Sequence, residues 1–327
     1  MIDVRLSLLD RSRTRAGRPE GEALTDTIRR AERAETLGFH RFWVAEHHAV
    51  PGIASGSPAV LLAAIGRATR RIRLGSGGVM LPQHQPLVVA EQFRMLEALN
   101  PGRVDLGIGS SLGFTPAVRR ALRRERTSRQ EIEDDVRELV AFLDDEAEVT
   151  ARPRTGRIPV HVLATRSGID LAARLGLPVV LGGPVVRSPE LPERLERYRS
   201  SFRPGGARTA PHVIVSLDVF AAADADRARE LALPEAWAMA MSRRTGEFPA
   251  LEHPERILAQ PWPDRVRDRV ERHLAGAVIG TPAQAAEHLR RLVGSTGADE
   301  IMASTSTYDT TALAELDEAL VEAVADG

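Results

Sequence analysis

Short apolar, β-prone runs alternate along the chain with amphipathic stretches of helical period. The alternation predicts strands at 4–9, 39–45, 72–76, 104–108, 159–163, 179–181, 213–220 and 300–304. Helices are predicted at 23–37, 57–69, 87–99, 129–143, 169–175, 191–198 and 283–292, with a last one running to the C-terminus. Punctuation supports these bounds. Gly38 and Gly176 stand where a helix C-cap belongs, Pro58 and Pro282 sit just inside helix starts, and Asn100-Pro101-Gly102 stops another helix. Residues 224–275 read as helical but broken by Pro234, Pro249, Pro254, Pro261 and Pro263. The region 221–280 therefore looks like a helical insertion before the last strand.

Eight βα periods in one chain predict an α/β fold, a single eight-stranded parallel (β/α) TIM barrel spanning 1–327. An open Rossmann-like sheet would want a glycine-rich turn after the first strand, and Leu9-Asp10-Arg11-Ser12 is not one. A barrel places its site at the C-terminal ends of the strands, so those ends are where chemistry is sought.

Composition narrows that chemistry. The 327 residues carry 44 basic and 45 acidic side chains, a balance that argues against a nucleic-acid partner. Cysteine and lysine are both absent, which excludes thiol nucleophiles, Cys-ligated metals and Schiff-base catalysis. No stretch reaches the about 18–20 apolar residues of a membrane span, and the first ten residues carry Asp3, Arg5 and Asp10 instead of a signal-peptide core. A soluble, cytoplasmic protein is expected.

Four strand ends stand out. The second strand ends in Ala45-Glu46-His47-His48. Adjacent histidines on an extended strand point to opposite faces, which disfavours a shared metal; no metal is expected, and a barrel metal hydrolase ranks low. One histidine acting in proton transfer, with Glu46 orienting or packing, fits better; a hydrogen-bonded rim histidine is the bland alternative. Trp43 beside it reads as core. The third strand runs into Gly75-Ser76-Gly77-Gly78, which permits close approach of a flat ligand, as an ordinary loop also would. The fourth ends in Gly107-Ile108-Gly109-Ser110, small residues that leave room for a bulky ring. The fifth leads to Ala164-Thr165-Arg166-Ser167-Gly168 at a helix start, a phosphate cradle or a plain cap. Arg129 opens another helix against the dipole, which hints at an anionic partner. Arg119-Arg120 and Arg123-Arg124 read as solvated faces.

These residues carry a resemblance. Arg41 to His48, Arg71 to Pro82, Ala90 to Phe93, Leu99 to Arg103, Leu106 to Gly109, Ala172 to Pro178 and Gly280 to Pro282 resemble the bacterial luciferase-like flavin-dependent monooxygenases. The resemblance covers nearly the whole chain and is most specific in its first third. It implies a two-component monooxygenase that takes reduced FMN from a separate flavin reductase and uses molecular oxygen to oxidise a small organic substrate. A homodimer is expected, and light emission is not.

By position the resemblance makes His47 catalytic; His48, which adjacency on an extended strand turns to the other face, is expected to be mainly structural. Glu46, Ser76, Gly77, Gly78, Gly109, Ser110, Arg129, Thr165, Arg166 and Gly168 become cofactor-binding candidates, with Arg129, Thr165 and Gly168 at the phosphate. Gly77–Gly78 matches a non-prolyl cis peptide beside the flavin. The chain departs from the pattern where many relatives carry an Arg at Ser110 and an acidic residue at Ala164; Arg166 could substitute for the missing Arg. Leu112, Phe114, Met80 and the loop near Trp237 to Phe248 are candidates to exclude water from the pocket. Two other readings stay open: a deazaflavin-dependent hydride-transfer enzyme on the same barrel, and a non-catalytic flavin-binding partner subunit.

Overall fold

The computed structural model describes residue 2 and residues 4–164, 166–205 and 210–326. It contains eleven strands: β1 (Arg5–Asp10), β2 (Arg41–Val44), β3 (Arg73–Ser76), β4 (Val79–Met80), β5 (Val104–Gly109), β6 (Val160–Ala164), β7 (Val179–Gly182), β8 (Val213–Leu217), β9 (Val219–Ala221), β10 (Val278–Gly280) and β11 (Glu300–Ala303). Eight of them pair in the order β3-β2-β1-β11-β8-β7-β6-β5, and β5 returns to β3 with Leu74 opposite Val104. All these pairings are parallel, so the sheet is a closed TIM-type barrel with every strand ending at the same mouth.

The period of two along each strand builds this barrel from both sides. Phe42 and Val44, Val179 and Leu181, Val213 and Val215, and Ile301 and Ala303 join the outer core under the helices. The residues between them, Trp43, Val180, Ile214 and Met302, meet inside the barrel with Leu9 and Leu163. Trp43 is fully buried there, as its reading as core expects. Glycines on the neighbouring strands make room for it: a Cβ at Gly75 would lie 2.3 Å from its Nε1, and one at Gly107 2.9 Å from its Cζ3.

Two positions nearer the strand starts, the inward layer is ionic. Arg41 donates to Glu300 at 2.9 Å and to Asp105 at 2.6 Å; Arg73 reaches Asp105 at 2.6 Å and Ser7 reaches Glu300 at 2.5 Å. Two positions nearer the strand ends, the inward sites are Arg11, Ala45, Gly77, Gly109, Gly182, Ser216 and Ser304. Except for Arg11 this layer is small, which is why the mouth is hollow.

Most expected elements are present, and the helix Arg129–Leu143 has the expected bounds. Two expectations need correction. The seventh strand does not run through 213–220: at Asp218 the chain leaves the barrel, and β9 pairs with β10 in a separate two-stranded parallel sheet. Asp218 takes hydrogen bonds from Arg11 and Ser304, and Val219 donates to the Thr305 hydroxyl, so side chains replace the ladder at the break. Pro234 does not break its helix either, because it lies inside Ala225–Thr245. Leu231, Ala232, Leu233, Ala236 and Trp237 from that helix are buried in a second core, and this packing offsets the hydrogen bond that proline removes. No helix among the described residues is long and apolar enough to cross a membrane.

Candidate active site at the barrel mouth

The chain turns sharply after β2, and the turn separates the two adjacent histidines. The His47 amide donates to Ser55 O at 2.9 Å. Its ring stacks on Phe114 at a centroid distance of 5.9 Å and meets Phe248 edge-on at 6.3 Å. The two phenylalanines contact each other at 4.6 Å, so loops after β5 and after the long helix close over the imidazole. Its Nδ1 is buried with no hydrogen-bond partner among the described residues. Burial, reinforced by the positive fields of Arg11 and Arg13, pushes its pKa down to about 4. His47 is thus held neutral at neutral pH.

His48 turns to Glu46 instead. Glu46 Oε1 lies 2.6 Å from His48 Nε2 and 2.6 Å from His84 Nε2, while Oε2 accepts the Met80 amide at 2.7 Å. Burial alone would raise this carboxyl; the two histidine hydrogen bonds win and hold it at about 2. Glu46 makes no hydrogen bond to His47, and it braces β4 against β2. The ligating atoms of Glu46, His48 and His84 lie within 4.8 Å of one another, close enough to interest a small cation, and the hydrogen bonds already engage them. Sequence reasoning did not single out His84, which comes from the short 3₁₀ turn Leu81–Gln83 and its cap.

The glycine pair after β3 sits between these groups and the barrel interior. The Gly77–Gly78 peptide is cis. A Cβ at Gly77 would lie 2.4 Å from Leu9 Cδ1, and one at Gly78 2.9 Å from Gly107 O. Ser76 is fully buried with its hydroxyl donating to Gly107 O at 2.7 Å and accepting the Gly107 amide at 3.1 Å. That hydroxyl clamps β3 to β5.

Four candidates share one cavity. Gly109, Ser110, Arg129 and Gly168 line a cleft of about 110 Å³ between the end of β5 and the helix starts at Arg129 and Arg166. Arg174 also lines it, tied to Glu133 at 2.6 Å. Thr165 and the side chain of Arg166 lie outside the described residues. Leu163 is common to this cleft and to a larger cavity of about 590 Å³ over the small-residue layer, lined by Leu9, Gly182, Ser216 and Ser304. Arg11 stands on its wall, paired with Asp218 at 3.1 Å and Glu235 at 3.0 Å. No sequence signal marked Asp218 or Glu235, since their partners are remote in the chain.

Among the residues expected to exclude water, Phe114 and Phe248 form the cover over His47. Trp237 is instead buried against Trp262, 5.3 Å away, away from that cover.

A family model described as luciferase-like monooxygenase matches residues 4–300. An Escherichia coli (strain K12) protein described as a luciferase-like monooxygenase is 35% identical over 94% of this chain and 92% of its own. The N-acetyl-S-alkylcysteine monooxygenase of Bacillus subtilis (strain 168) is 33% identical over 89% and 90%. The crystal structure of apo-MsnO8 superposes with a TM-score of 0.88 at 32% identity, covering 98% of each chain. The fold alone extends, at 20% and 16% identity, to a 3,6-diketocamphane monooxygenase constituent solved with FMN and to an F420-dependent secondary alcohol dehydrogenase. By its sequence and its closed barrel, the chain belongs to the luciferase-like monooxygenases.

Proposed function

We propose that this enzyme is a two-component monooxygenase that receives reduced FMN from a separate reductase and oxidises a small organic substrate with molecular oxygen. The observation that carries this reading is a pair of cavities with Leu163 in both walls. The smaller one, where Arg129 and Ser110 stand beside Glu133 and Asp135, which Arg174 and Arg124 engage, and beside Asp170, is sized for a single phosphate group at a helix start. Leu163 also lines a larger one floored by glycine and serine, where a flat ring has room. A terminal phosphate monoester suits the small cleft better than the longer tail of a deazaflavin coenzyme. When bound, a reduced flavin supplies the two electrons that reduce one oxygen atom to water while the other enters the substrate.

The residues of this chain do the rest. Arg129 and the helix start at Arg166 hold the phosphate, with Gly168 beside it; Thr165 and Arg166 are proposed as further contacts on the strength of the resemblance alone. Gly77, Gly78 and Gly109 let the ring lie against backbone. Phe114 and Phe248 exclude water, and neutral His47 accepts and returns a proton. Glu46 acts at a distance by fixing the turn that carries His47. The whole chain works as one unit, as a homodimer in the cytoplasm, where a reductase supplies its flavin.

Anaerobic titration with reduced FMN, followed by oxygen and rapid-scan absorbance, tests the reading. Saturable binding and an oxygen reaction slower or spectrally distinct from that of free flavin are expected. Failure to bind reduced FMN, or tighter binding of a deazaflavin, overturns it.

A further inference from the structure

The larger cavity has two unlike ends. One end lies against Leu9 and Leu163, beside the Gly77–Gly78 peptide and the phosphate cleft. The other opens between the turn after β7 and the end of the helix Asp264–Leu274. The wall between them is largely apolar, with Val180, Leu217, Phe220 and Met239 among its residues.

Arg11, Arg187, Asp218 and Glu235 line it, but the two carboxylates are not shared evenly between the two arginines, because Arg13 behind the wall also draws on Glu235. Arg11 is paired with Asp218 and Glu235, and Arg13 reaches Glu235 from behind at 2.9 Å. These two arginines and two carboxylates form a neutral set, and protonation of Asp218 would only leave it more positive. Arg187 also lines the cavity, at its open end, is exposed, and forms no ion pair among the described residues. One cation is therefore left over.

Arg187 is also given room. A Cβ at Gly276 would lie 2.9 Å from its Nη2 and 3.1 Å from its Cζ, so its guanidinium occupies the space that a side chain at Gly276 would fill. A larger residue there would push it off the rim.

We propose, resting on the flavin reading above, that the substrate is an organic anion. It has an apolar body that reaches toward the flavin and one carboxylate bound by Arg187 at the far rim. A planar guanidinium with its fork open matches a carboxylate in two parallel hydrogen bonds, which a neutral amide cannot reproduce. Distance between the rim and the ring would then set which atom of the body is oxidised, because binding remote from the reacting atom positions it.

The test uses matched probes: ω-phenylalkanoates of two to six carbons and N-acetyl-S-benzylcysteine, each against its carboxamide, with binding read by calorimetry. At least one carboxylate is expected to bind about tenfold or more tightly than its amide, the size of a charge-assisted contact. Arg187→Gln should bring the pair within about twofold, Arg187→Lys should keep part of the preference, and Gly276→Ala should reduce it severalfold. No preference across the panel, or a preference that survives Arg187→Gln, overturns the proposal. The same preparations are titrated with reduced FMN. Carboxylate preference without flavin binding retains the anion site and sinks the flavin reading; flavin binding without preference does the reverse.

Discussion

The two ends of the barrel are built from the same strands, four residues apart, and they are opposites. At the closed end Arg41, Arg73, Asp105 and Glu300 point inward and satisfy one another, and Ser7 adds a further bond to Glu300. At the mouth the inward positions are Gly, Ser or Ala except for Arg11, and among the described residues the buried His47 Nδ1 has no hydrogen-bond partner and the exposed Arg187 no ion pair. Buried polar groups are ordinarily satisfied, so the Nδ1 of His47 stands out beside the closed ionic layer. Carboxylate behaviour follows the same division. Burial would raise Asp105 and Glu300, but Arg41, His161 and Arg73 hold the first at about 2 and His212, Arg41 and Ser7 the second, as befits a closed ionic knot. The closed end holds the cylinder together, and the mouth is kept free to do chemistry.

The largest effect that separates the two ends is on turnover. His47→Ala should lower product formation about 10²–10⁴-fold, the usual cost of removing a positioned acid/base group, while reduced FMN still binds. His48→Ala should act mainly on stability, because His48 serves Glu46. Product formation with a supplied flavin reductase measures both; equal loss in the two variants, tracking their unfolding, would return His47 to a rim residue.

Next in size is a substitution at the closed end. Arg41→Ala leaves Asp105 and Glu300 buried without their main partner, and breaking a buried pair costs about 3–5 kcal/mol. The midpoint of urea unfolding should fall accordingly, while the folded fraction keeps its affinity for reduced FMN. A loss under about 1 kcal/mol would mean that the ionic layer is not what holds this end.

Arg129→Ala is a smaller change at the mouth. It removes a charge-assisted contact worth about 1.5–3 kcal/mol, so FMN affinity should weaken about tenfold or more. Riboflavin, which has no phosphate, supplies the control: its affinity should not move. Equal weakening of both ligands would place Arg129 outside the phosphate contact.

Much of this contrast can be read in the sequence, and the reason is local. The small residues at Gly77, Gly109 and Ser110 and the pair His47-His48 sit at strand ends, where period-two alternation and turn residues already say which way the chain faces. The helix Arg129–Leu143 is delimited by Ser128, whose capping box is visible as Ser-x-x-Glu. What stays hidden depends on contacts between remote segments. His84 becomes a partner of Glu46 only once β4 folds back beside β5. Asp218 reads as the middle of a strand until Arg11 and Ser304, more than 80 residues away in either direction, draw it out of the barrel. Pro234 reads as a helix breaker because the buried core that outweighs it includes the helix Asp264–Leu274. Glu46 was expected to orient the histidine beside it or a cofactor; its carboxylate is taken by two other imidazoles, a choice that only the turn after β2 decides.

The smallest predicted effect concerns pH, and it tests whether His47 is as desolvated as its surroundings imply. Its pKa is about 4 in the folded protein against 6.5 for an ordinary histidine. The unfolded chain therefore takes up a proton between those values that the folded chain refuses. By linkage the contribution of neutral His47 is present above pH 6.5 and is lost as pH falls from 6.5 toward 4. Compared with His47→Asn, which cannot titrate, the wild-type protein should lose on the order of 1 kcal/mol more stability between pH 7 and pH 5.5, since one pKa unit is about 1.36 kcal/mol. His40, lowered to about 4 by burial and by Arg41, adds the same trend to both proteins and cancels in the comparison. The measurement is urea unfolding of the two proteins at both pH values. Parallel curves would mean that water reaches the imidazole beneath Phe114 and Phe248, that the aromatic cover does not seal the mouth, and that His47 titrates like any surface histidine.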